Sequence, residues 1–246
     1  MARIMKGFFA TVFAGLAIGA SAATPEDDLQ RYIAVFEDDL GNHDKAVDDL
    51  AWKGISDTRL FDIIEDRLHE DAQTARRRNK RDRNHVARMI KALGFSGQSK
   101  YEPSISRYAS DRAYRSHAER ALSNLRLYAK WNPVIADRST WESAYSDDVN
   151  RVRNMLSSND IGLQTLGAKR VHFGHPAEPV LLDLVSQRLL ECYKTVADAE
   201  GVEAAGWMVN GLGKAGDQKY RVVLKEVADG AASDKLRSRA AKALDR

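Results

Sequence analysis

The sequence predicts an all-α solenoid of about five antiparallel helix pairs. Three observations predict it. First, the stretch from Leu93 to Leu122 returns as Leu212 to Leu244, near the end of the 246-residue chain. Gly94, Gly97, Lys100, Tyr101 and Ala109 recur as Gly213, Gly216, Lys219, Tyr220 and Ala228 at one offset of 119, and past a short insertion Arg115, Ala118 and Ala121 recur as Arg237, Ala240 and Ala243. Second, that offset is about three units of roughly 40 residues, the length of a two-helix repeat. Third, apolar residues step by three and four along the chain, and few segments alternate with the period of two that marks strands.

The elements follow in order. Residues 1–22 read as a secretory signal peptide. Arg3 and Lys6 make a positive start, Phe8 to Ala20 is an apolar run, and Ala20-Ser21-Ala22 is a small-residue cleavage pattern. The run falls short of the ~20 apolar residues of a membrane span. The mature chain is expected to begin at Ala23 or Thr24, and residues 23–246 to form the solenoid domain. Thr24 can cap the first helix, Pro25 suits its first position, and Glu26 and Asp27 favour the positive end of its dipole.

Each later unit repeats one logic. Val86, Met89, Ile90 and Leu93 put an apolar stripe on the first helix. A glycine-bearing turn follows, because glycine tolerates the positive φ that ends a helix. The second helix begins near a capping residue, as at Ser56-Asp57 and Ser233-Asp234. Intermediate copies fill the gap. Asp57, Leu60, Ile63, Ile64 and Leu68 align with Asp217, Tyr220, Val223, Leu224 and Ala228 at an offset of 160, and Val180 and Leu184 align with Tyr220 and Leu224 at 40. The unit around 131–158 is the least regular. Neither helix of a unit can bury its stripe alone, so stacking must supply the core. The last helix, Asp234 to Asp245, needs a neighbour or another chain to cover its apolar face.

The run Leu212-Gly213-Lys214-Ala215-Gly216-Asp217, the Tyr220/Val223/Leu224 face and the helix RSRAAKAL from Arg237 to Leu244 resemble the HEAT-repeat family, above all the short bacterial HEAT-like units also found in phycobilin lyases. The resemblance implies an α-solenoid that serves as a scaffold for protein contacts, with second helices lining the concave side. It carries no catalytic residue over.

Composition narrows the function. The net charge of +3 falls to +1 when Arg3 and Lys6 leave with a leader that holds no acid. That near-neutral total, with export, argues against a nucleic-acid partner. Cys192 is the only cysteine, so no intrachain disulfide can form. It is expected to be an inert thiol in an apolar helix running from Leu181 to Val196. No GxSxG elbow is present. Gly211, Gly213 and Gly216 mimic a dinucleotide fingerprint but follow a helix rather than a strand, so helix termination is their expected role.

Four clusters are candidate sites. Arg76, Arg77, Arg78, Lys80, Arg81 and Arg83 make a dense basic run that could meet an acidic protein, anionic lipid or polysaccharide; a solvated helix extension is the structural alternative. Asp62, Glu65 and Asp66, with His69, Glu70 and Asp71, lie on a second helix and could form a partner-binding strip, while Ile63, Ile64 and Leu68 face the core. His172, His175 and Glu178 match zinc-ligand types, but Gly174 and Pro176 place His175 in a turn, away from the HExxH geometry. Trp52, Trp131, Trp141 and Trp207, with Tyr128 and Tyr145, are large anchors for the core or for a partner. The expectation is an exported, periplasmic, non-catalytic scaffold that binds another protein and needs no cofactor. The alternatives are a metal- or cofactor-handling enzyme centred on His172, His175 and Glu178, or an anionic-surface binder using the basic run.

Overall fold

The computed structural model describes residues 24–38, 42–74, 79–175 and 177–245. The predicted signal segment and Arg76, Arg77 and Arg78 lie outside these residues. The described chain forms α1 (Pro25–Glu37), α2 (His43–Lys53), α3 (Thr58–Thr74), α4 (Lys80–Gly94), the short α5 (Glu102–Ser106), α6 (Arg115–Ile135), α7 (Asp147–Ser157), α8 (Ile161–Gly174), α9 (Pro179–Cys192), α10 (Ala199–Ala215), α11 (Gln218–Gly230) and α12 (Asp234–Leu244), with two 3-10 turns and, among the described residues, no strand. The fold is all-α. No described helix is long and apolar enough to cross a membrane.

Local chemistry sets the helix starts. Thr24 and Asp27 form a reciprocal capping box with Pro25 at the first position, as the sequence predicts. Asn42, Asn79, Ser146, Asp160, Asp198 and Asp217 each accept a hydrogen bond from a first-turn N–H. Each helix except α5 packs on a sequence neighbour and on a helix two places away. The even-numbered helices α2, α4 and α6, then α8, α10 and α12, make one layer; α1 with α3, and α7 with α9 and α11, make the other. That is the stacking pattern of a two-layer solenoid. From His43 onward it gives five helix pairs and a closing α12, whose Leu236, Ala240 and Ala243 are buried against α10 and α11. The 131–158 region holds the end of α6, a 3-10 turn at Arg138–Thr140 and α7.

The core falls into two main clusters. One runs from Leu29 to Tyr128 and the other from Val149 to Ala243; Ile135, Met155 and Leu163, flanked by Trp52, Trp131 and Leu166, join them.

The repeat itself has a structural meaning. A Cβ on Gly94 would lie 2.8 Å from the Ala121 backbone, and one on Gly213 would lie 2.8 Å from the Ala243 Cβ. The repeated Gly and Ala therefore let α4 approach α6, and α10 approach α12. Gly97 and Gly216 both take positive φ, at 69° and 66°. Gly213 and Gly211 sit inside α10 and do not end it; Gly216 alone terminates that helix. The repeated Lys–Tyr pair is a clamp between units. Lys100 Nζ and the Tyr101 hydroxyl donate to Asp62 Oδ1 at 2.5 and 2.8 Å, and Lys219 Nζ and the Tyr220 hydroxyl donate to Asp183 Oδ1 at the same distances. Arg115 and Arg237 each donate to a carbonyl six residues back, on Ala109 and Ala231.

Candidate functional site

Between α6 and α8 the even-numbered layer opens into a groove of about 540 Å³ lined by Leu127, Trp131, Ile161, Gly162, Thr165 and Leu166. Its origin lies in α6. That helix buries Ala118, Ala121, Leu125, Tyr128, Asn132 and Ile135. It also carries a second apolar stripe at Leu127, Trp131 and Val134, spaced four and three residues apart and so on one face. Leu127 and Ile161 remain 38% and 36% exposed, so the groove is open to solvent. Gly162 makes room for the indole: a Cβ there would lie 2.6 Å from Trp131 Cζ2.

The rim is acidic. Asp160 caps α8, and Glu200 and Glu203 reach over from α10. Among the described residues Lys169 is the single cation lining the groove, 3.7 Å from Glu203 and over the Trp207 ring. The Trp207 indole donates to Glu203 at 2.9 Å, and this bond, outweighing burial, holds the Glu203 carboxyl below the usual range. Beyond Lys169 the apolar strip continues: Phe173, the most open aromatic on α8 at 63% exposure, packs on His172 and Trp207. Within the groove the Trp131 Nε1 donor is buried and has no hydrogen-bond partner.

The residues expected from sequence are distributed elsewhere. Lys80 and Arg81 are exposed at the start of α4, and Arg83 is half-buried beside a hollow with Asp111, Arg112 and Tyr114. Asp62 is taken up by the Lys100–Tyr101 clamp, which holds its carboxyl below the usual range, with the Lys100 hydrogen bond as the main cause. Glu65 accepts a hydrogen bond from Ser104, and Asp66 is exposed. Asp62 and Glu65 therefore tie α3 to the following unit. His172 Nδ1 sits 3.1 Å from the Asn210 carbonyl, His175 follows the end of α8, and Glu178 precedes α9. Burial, reinforced by Arg170, disfavours a proton on His175. Among the described residues no group of three or more His, Cys, Asp or Glu side chains is placed to hold a metal. Cys192 is half-buried at the end of α9, which stops there rather than at Val196, and burial, reinforced by Glu191, raises its thiol pKa.

Of the groove residues, sequence reasoning singled out Trp131 alone. The signal that would have found Leu127 is the double stripe of α6: a 21-residue helix with more apolar positions than one buried face can use.

No family model and no curated protein matches the chain. Among solved structures it is similar to human deoxyhypusine hydroxylase in complex with glycerol, at a TM-score of 0.35 and 11% identity over 91% of this chain and 90% of that one.

Proposed function

We propose that this chain is an exported, non-catalytic HEAT-like scaffold that holds another protein by seating an amphipathic segment of it between α6 and α8. One observation carries the reading. Leu127 and Ile161 stand exposed beside Trp131 in an open apolar groove. Large aromatics in desolvated pockets dominate binding energy. The apolar residues of the partner would cover the stripe. Apolar anchors one helical turn apart fit such a groove. The rim of Asp160, Glu200 and Glu203 favours a partner with Lys or Arg beside those anchors. The basic run from Arg76 to Arg83 keeps its proposed part as a separate electrostatic contact with the same partner.

The test uses a labelled synthetic helix of about 18 residues, long enough for five turns, with Leu on one face and Lys on the other. It is expected to bind, and a Leu/Glu version is not. Replacing both Leu127 and Ile161 by Asp should weaken binding at least about tenfold, because it removes anchors at the centre of the contact. Equal binding by the variant, or equal binding of both peptides, overturns the groove. Export is checked separately: N-terminal sequencing of periplasmic material from cells expressing the full chain should begin at Ala23 or Thr24.

A further inference from the structure

The floor of the groove is apolar, but its two banks carry opposite charge. One bank is the acidic rim of Asp160, Glu200 and Glu203, all exposed. The other is α6 itself. Arg120 lies seven residues before Leu127 and therefore on the same face of the helix. Arg126 and Lys130 are one turn apart, and Lys130 is three residues past Leu127, so this pair forms the next ridge. The ridge is on the solvent side, because the buried residues Leu125, Tyr128 and Asn132 lie across the stripe from it. Arg120, Arg126 and Lys130 are all exposed, and α6 holds no acid after Glu119.

These cations differ from others in the molecule in being unpaired. At the junction of the two core clusters Arg151 meets Asp28 at 2.5 Å and Asp148 at 3.1 Å, and Lys53 meets Asp148 at 2.5 Å. On the outer surface Arg88 and Lys91 share Asp48, and Arg59 bridges Glu26 and Asp57. Arg120, Arg126 and Lys130 make no ion pair with any described residue. Neither bank of the groove reaches the other, since the Lys169–Glu203 pair lies within the acidic bank. A single exposed charge is an ordinary solvated group. Two rows of opposite sign on either side of an open apolar floor do more, because a bound helix presents one flank to each.

We infer that the segment seated between α6 and α8 is a helix with sorted flanks: apolar toward the floor, basic on the side of α8 and α10, and acidic on the side of α6. This rests on the groove being the partner site and adds what that site selects. It also fixes direction. Turning a helix end for end in the groove exchanges its flanks, so only one direction sets unlike charges together on both sides. The reversed pose sets like charges together on both, which lowers its affinity. Each exposed pair contributes little, but several act together along the roughly 15 Å of α6 between Arg120 and Lys130.

The experiment compares three labelled helices of equal length with the same Leu face. One has Lys on both flanks, one has Lys on one flank and Glu on the other, and one has the same Lys and Glu residues mixed on both flanks. The sorted helix is expected to bind at least about threefold more tightly than either of the others at low salt, with the advantage shrinking as salt is added. Replacing Arg120, Arg126 and Lys130 together by Glu should weaken the sorted helix about tenfold and leave the Lys-only helix bound as tightly or more so. The three side chains are exposed and unpaired, so the variant keeps its fold; Arg126→Gln/Lys130→Gln should move the affinity in the same direction by a smaller factor. A nitroxide on one end of the sorted helix should broaden amide resonances at one end of the groove only, and exchanging the two flanks in its sequence should move the broadening to the other end. Equal binding of the sorted and mixed helices, unchanged affinity of the sorted helix for the Glu variant, or broadening that stays in place overturns the sorted flanks while the groove stands. Failure of all three helices to bind removes the groove and this inference with it.

Discussion

The two copies of the internal repeat agree in geometry and differ in how tightly they are enclosed. Gly97 and Gly216 share a backbone conformation, yet a Cβ on Gly97 would lie 2.6 Å from the α6 backbone at Tyr128 and Ala129, while one on Gly216 would meet nothing within 4 Å. Gly94 faces the backbone of Ala121, whereas Gly213 faces the Ala243 side chain on the last helix. The first copy sits in the middle of the stack and the second at its end. What recurs is therefore scaffold: close crossings, a left-handed glycine in the turn and a Lys–Tyr clamp. The groove draws on the stretch that does not recur, between Trp131 and Leu166. The repeat builds the platform, and its interruption opens the groove.

The largest effect should come from splitting the glycine pair. Gly97→Ala must adopt a left-handed conformation, about 1–2 kcal/mol, and also push into α6, about 1–3 kcal/mol more. Gly216→Ala bears the first cost alone. Urea denaturation should thus show the Gly97 variant losing clearly more stability than the Gly216 variant. Equal losses would mean that the two copies are enclosed alike.

A middle effect tests what they share. Tyr101→Phe and Tyr220→Phe each delete a hydroxyl that donates to a charged Asp. Each should cost about 1–2 kcal/mol, the lower part of the range for such bonds, since Asp62 and Asp183 keep their lysines and some water. Here the two variants should match. If neither changes the unfolding midpoint, the repeated Lys–Tyr pair is not a clamp.

Much of this frame is legible in the sequence. The offset of 119 locates both copies, and the cap at Thr24 and the stripe at Val86, Met89, Ile90 and Leu93 mark elements that the structure contains. The functional surface was less legible for definite reasons. Leu127 and Val134 interleave with the buried stripe of α6 and look like more core. Glu200 and Glu203 resemble any solvated helix face. Asp28 and Arg151 stand 123 residues apart, and nothing in either segment announces the other. Asp62 shows the reverse error: it reads as an open acidic strip because its partner Lys100 lies in the next unit, where only packing brings it near.

The smallest effect separates repeated ion pairs from the unrepeated junction, and acid is the probe. Asp62 and Asp183 are held below the usual carboxylate range chiefly by the hydrogen bonds of Lys100 and Lys219. For Asp148, burial alone would raise the carboxyl; Lys53, with Arg151 and Arg170, outweighs it and the net direction is again down. A folded value below the unfolded one means stability that is present above the unfolded Asp pKa of about 3.9 and is lost as pH falls through the folded value. All three therefore weaken the protein below about pH 4. The two clamp aspartates are half-exposed and screened, so together they account for less than about 1 kcal/mol of that fall. Asp148 is more enclosed and should carry more. Melting temperatures of the Asp62→Asn/Asp183→Asn double variant, followed from neutral pH down into the acid limb, should keep most of the wild-type decline. Loss of the whole decline in that variant would place the acid-sensitive contacts in the repeat and remove them from the junction.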